Sequence, residues 1–77
     1  MAASLYERLV AITEEYLGPA AERFMARHIS FHLHKRPDQL NAKDIAKLTD
    51  WLKVSLGLLT NDKTLVDEYE RRLLKLR

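Results

Sequence analysis

Residues 42–59 read AKDIAKLTDWLKVSLGLL, from Ala42 to Leu59, and their periodicity decides the fold. At about 100° per residue, Ile45, Leu48, Leu52, Leu56 and Leu59 fall on one helical stripe, while Trp51, Val54 and Leu58 recur at i, i+3, i+7 on an adjoining face. The apolar arc exceeds about half of the helix circumference, so it is either enclosed by neighbouring helices or shared with another molecule. Asn41 precedes the stretch as an N-cap, with Asp44 placed for the positive end of the helix dipole. Gly57 faces away from the main stripe and costs about 1 kcal/mol relative to Ala, a cost expected only where two backbones approach closely.

Three further segments share this periodicity, and no stretch alternates apolar and polar residues as a half-buried strand does. Ser4 and Glu7 form a Ser-x-x-Glu capping box ahead of a stripe of Leu5, Leu9, Ile12 and Tyr16, flanked by Val10 and Leu17. Gly18 suits a helix stop and Pro19 a helix start, so two helices meet at a tight corner. The second helix places Ala21, Phe24, Met25, His28, Ile29, Phe31 and His32 on one broad arc, leaving Arg23, Arg27, Ser30 and His34 outside. Arg36-Pro37-Asp38-Gln39-Leu40 breaks the pattern, with Leu40 plugging the loop into the core. Thr60-Asn61-Asp62 caps a last helix whose inward residues are Leu65, Val66, Tyr69, Leu73 and Leu76. Its outer face carries acid-before-base pairs such as Asp67 with Arg71. The expectation is an all-α, four-helix single domain over residues 1–77, with helices at about 4–17, 19–35, 42–59 and 62–76.

The composition limits what such a domain does. Of the 77 residues 47% are hydrophobic, and there are two Gly and two Pro, so the chain folds rather than staying disordered. It contains no cysteine, which excludes a disulfide framework and a thiolate metal site. The start, Met1-Ala2-Ala3-Ser4-Leu5-Tyr6-Glu7-Arg8, lacks a cationic stretch followed by an apolar one, and no apolar run approaches the ~18 residues of a spanning helix. A cytoplasmic protein, neither exported nor in a membrane, is expected. The 13 basic and 11 acidic residues are interspersed, whereas binding to a bulk polyanion calls for segregated cations.

Three constellations could carry function. His28 and His32 share a helical face at the spacing of two metal ligands, but the residues between them, Ile29, Ser30 and Phe31, include no catalytic Glu. Their ordinary reading is a pair of hydrogen-bonded core or interface histidines, so no metal and no cofactor are expected. Arg23, Arg27, Lys35 and Arg36 form the densest basic group, suited to nucleic acid or another acidic surface, or simply to the negative end of the helix dipole. The ridge of Trp51, Val54 and Leu58 is the third, and a chain this small has difficulty enclosing it. No Gly-rich phosphate loop and no Ser with a base and an orienting acid is present, and adjacent Glu14 and Glu15 diverge on a helix, so no enzyme is expected.

The run Tyr16-Leu17-Gly18-Pro19-Ala20-Ala21-Glu22-Arg23-Phe24 resembles the Leu/Ile-Gly-Pro-x-Ala signature of small helical modules appended to bacterial Ser/Thr kinases and response regulators. Over nearly its full length, including Leu58-Leu59-Thr60-Asn61-Asp62 and Leu65-Val66-Asp67-Glu68-Tyr69, the chain is similar to small stand-alone helical proteins of candidate-phylum bacteria. The resemblance implies a bacterial interaction module and transfers no catalytic or binding residue. Protein–protein association, with a homodimer as its simplest form, is therefore the first expectation. Binding of nucleic acid or another acidic surface is the second, and a metal or small ligand at His28 and His32 the third.

Overall fold

Capping chemistry sets where the helices begin. The computed structural model describes residues 3–77; Met1 and Ala2 of the expected domain lie outside the described residues. Helix α1 covers Leu5–Leu17. The Ser4 hydroxyl accepts from the Glu7 amide at 3.1 Å, and the Glu7 carboxylate accepts from the Ser4 amide at 3.3 Å. Two amides that the helix itself leaves open are thus satisfied. At the other end Gly18 adopts φ 63°, a region that side-chain-bearing residues rarely enter, and Pro19 follows within a 3-10 turn, Gly18–Ala20.

The expected helix over 19–35 is not one helix. After the 3-10 turn, α2 covers Ala21–His28, the backbone widens into a π turn over Ile29–Leu33, and the segment ends at His34 in the left-handed region. Instead of four long helices, the described residues hold three uninterrupted α-helices of at least 12 residues and this composite. A π turn closes i→i+5 bonds, so residues after Ile29 fall behind the 100° schedule. Phe31, expected inward, is exposed, and Leu33 packs against the core in its stead.

Asn41 caps α3 (Ala42–Leu59): its side chain accepts from the Lys43 amide at 2.9 Å while Asp44 accepts from the Asn41 amide at 3.1 Å. Asp62 caps α4 (Lys63–Leu74) by accepting from the Leu65 amide at 3.2 Å. That helix stops two residues short of the expected end, although Leu76 still packs against the core. Among the described residues there is no strand, and no helix is long and apolar enough to cross a membrane. The radius of gyration, 11.5 Å, is that of a fully compacted chain of this length, about 11.5 Å.

Leu9, Met25, Ile29, Ile45, Leu48, Leu52, Tyr69 and Leu73 form the solvent-free centre. Thr13 joins them, although a threonine in a helix reads as polar. Its hydroxyl donates to the Leu9 carbonyl at 2.8 Å and accepts from the Tyr69 hydroxyl at 2.7 Å, so both buried polar groups are matched. Burial pushes the Tyr69 phenol up to about 12. Tyr16 meets Tyr69 edge-on at 4.9 Å and donates to Glu68 at 2.6 Å. Arg72 grips both oxygens of Glu15, at 2.6 and 3.0 Å, which draws the carboxyl below its usual range through that hydrogen bond. Helices α1 and α4 are therefore joined by paired groups from centre to surface. Gly57 departs from expectation: a Cβ there would meet nothing within 4 Å, so no close backbone approach explains it.

Candidate functional site

The opposite side of the molecule, where α2 and the π turn lie against α3, is built differently. The π turn lays the His32 ring on the Trp51 indole, centroids 4.0 Å apart and planes within 5°. His28 stacks on His32 at 5.3 Å, and Phe24 meets His28 edge-on at 4.7 Å. A column of four rings, Phe24, His28, His32 and Trp51, thus runs along the seam, with Phe31 against its His32 member at 5.7 Å.

The histidines are held by stacking rather than by hydrogen bonds. The buried Nδ1 of His28 has no hydrogen-bond partner among the described residues. Its pKa is lowered, first by burial and then by the neighbouring His32 and Arg27, so the neutral ring is favoured. Imidazole lone pairs lie in the ring plane, and two stacked rings do not aim them at one point. The geometry brings His28 and His32 together without converging their nitrogens on a metal, and the described residues contain no group of three His, Cys, Asp or Glu able to hold one.

The four basic residues do not act as one patch. Lys35 is bound to Asp44 at 2.8 Å and Arg36 to Asp38 at 3.4 Å. The Lys35 ammonium also holds the Asp44 carboxyl below its usual value, chiefly through that hydrogen bond. Arg23 and Arg27 form no ion pair among the described residues, and both are exposed.

Along α3 the adjoining apolar face is uncovered: Trp51 is 45% exposed, Val54 57% and Leu58 83%. Leu59, expected in the core stripe, is 65% exposed, because in the last turn of α3 it lines a groove instead of meeting a covering helix. With Phe31, 72% exposed, these are all of the exposed large apolar side chains among the described residues, and every one lies on the π turn or on α3. Scattered exposed apolar residues are ordinary; here they concentrate on two touching elements. Beside it runs an open groove of about 370 Å³ lined by Ala20, Arg23, Phe24, Arg27, His28, Ser55, Leu58 and Leu59.

The ridge residues Trp51, Val54 and Leu58 are legible from spacing; the ring column runs through His32 of the π turn, which no residue in 29–33 announces, and the groove depends on how α2 lies beside the end of α3. Compared with protein families, with curated proteins and with solved structures, the chain gives no match.

Proposed function

We propose that this chain is a non-catalytic protein–protein association module that pairs with a second copy of itself through the exposed face of α3, as a compact helical unit in a bacterial, cytoplasmic signalling or cell-organisation setting. The observation that carries the reading is the confinement of every exposed large apolar side chain among the described residues to the π turn and α3. A chain of this size removes only roughly 60–65% of its unfolded surface from water, so a second copy supplies what its own helices lack. Trp51 and Leu58 lie at either end of the ridge with Val54 between them. A two-fold axis near Val54 sets Trp51 of each copy against Leu58 of the other, with the same patch used twice. Burial of these side chains contributes about 25 cal/mol per Å² of apolar surface, offset by the cost of immobilising two molecules. The absence of cysteine supports a reducing compartment.

Nucleic-acid binding through Arg23, Arg27, Lys35 and Arg36 is the weaker reading, because Lys35 and Arg36 are already paired with carboxylates. Light scattering across a concentration series tests the preferred one. The expected result is a mass approaching twice that of the chain, reverting to one chain in Trp51→Ala/Leu58→Ala with helix content retained. A wild-type chain that remains single, or a pair that survives the double substitution, removes this reading.

A further inference from the structure

We infer that the groove between α2 and the C-terminal end of α3 receives an acidic amphipathic helix from a partner protein. This goes beyond self-association: Trp51 and Val54 do not line the groove, and of the exposed apolar residues only Leu58 and Leu59 border both surfaces. Its apolar lining is Phe24, Leu58 and Leu59, two of them largely exposed in the isolated chain. On the same lining Arg23 and Arg27 stand one helical turn apart, and neither has a carboxylate of the described residues within 4 Å, whereas Lys35, Arg36, Lys53 and Arg72 are each paired elsewhere. No acidic side chain lines the groove, so nothing within it answers this charge. His28 belongs to the lining as well.

These features together select the occupant's chemistry. A purely apolar segment leaves the two guanidinium groups unanswered, and a nucleic acid has no use for Leu58 and Leu59; Phe24, moreover, is engaged edge-on by His28 rather than free for base stacking. A helix rises 1.5 Å per residue, so carboxylates four positions apart stand about 6 Å apart, the same spacing as Arg23 and Arg27 along α2. Apolar side chains on the adjoining face of that helix then enter between Phe24 and the two leucines, the helix-in-groove mode of recognition, while carboxylate–guanidinium pairs set its direction.

The test is fluorescence anisotropy with a labelled synthetic peptide of about 18 residues, long enough to hold a helix, with Leu on one face and Glu at four-residue spacing beside it. Titrated with the full chain, it is expected to bind, and to bind about tenfold more weakly to Arg23→Glu/Arg27→Glu. Replacing the peptide's Glu by Lys should abolish binding, and Trp51→Ala should leave it intact even where self-association is lost. Ser55→Trp, which fills the groove without changing its charge, should also block the peptide, and circular dichroism establishes that each variant is folded. The inference is overturned if the acidic peptide fails to bind, if the Lys peptide binds as well, if both groove variants keep full affinity, or if a single-stranded oligonucleotide displaces the peptide more effectively than unlabelled peptide does. It is equally overturned if Arg23→Glu/Arg27→Glu abolishes self-association. That result would identify the occupant as a second copy, whose Glu7, Glu14 and Glu22 line an acidic groove of their own.

Discussion

The seam between α1 and α4 and the seam between α2 and α3 are built from the same ingredients, aromatic rings and a few polar side chains, to opposite effect. In the first, Tyr69 and Thr13 satisfy one another inside the core, and Tyr16, Glu68, Glu15 and Arg72 continue the pairing to the surface. In the second, His28 keeps a buried nitrogen without a partner among the described residues, and Trp51, Leu58 and Phe31 face water. A folded chain satisfies its buried polar groups wherever stability alone is at stake. The difference is that the first seam pairs its buried polar groups, whereas the second leaves one unpaired and its outer apolar side chains uncovered.

The sharpest way to break that contrast is to truncate both sides. Leu73→Ala, in the solvent-free centre, should cost about 2–5 kcal/mol in denaturant unfolding, while Trp51→Ala, at a concentration where the chain is single, should cost less than about 1 kcal/mol. Comparable losses would mean that the two seams do not differ as described. Thr13→Val keeps the shape and orphans the Tyr69 hydroxyl, so a loss of about 1–3 kcal/mol is expected, partly regained when Tyr69→Phe is added. A double-mutant cycle measures the coupling directly. On the open side, Gly57→Ala should raise stability by about 0.5–1 kcal/mol, because the new methyl group meets open space and the helix loses its most flexible residue. The smallest effect concerns pH. His28 titrates lower in the folded chain than in the unfolded one, so below the ordinary histidine value of ~6.5 the unfolded chain binds the extra proton and folding weakens. Denaturation midpoints should hold steady above neutrality and decline as pH falls from about 6.5 to 5; His28→Phe should flatten much of that decline.

The sequence announces its start and stop signals plainly because each is a local bond: Ser4 with Glu7, Asn41 with Asp44, Asp62 with the Leu65 amide, and Gly18 with its positive φ. It also announces the ridge on α3, since helical spacing alone separates Trp51, Val54 and Leu58 from the core stripe. What it conceals depends on tertiary partners. Thr13 is buried because Tyr69, far away in the chain, meets its hydroxyl, and no local pattern distinguishes it from a surface threonine. The π turn is concealed for a related reason: widening one turn changes which residues face inward after Ile29, and so the reading that placed Phe31 inside and overlooked Leu33 follows a schedule the backbone abandons. Leu59 shares the spacing of the core, but the helix outruns its cover at that point. The groove is concealed too, because it is formed between residues of α2 and the end of α3 that are far apart in the chain.

Trp51 is the chain's single tryptophan, and it lies on the surface assigned to association. Its fluorescence across a dilution series is the most direct measurement of that assignment. If α3 pairs with a second copy, raising the protein concentration should shift the indole emission to shorter wavelength and reduce quenching by acrylamide, with the same midpoint as the change in mass. If the mass doubles while emission and quenching stay constant, the surface is misassigned; if neither mass nor emission changes up to millimolar concentration, this face does not serve self-association.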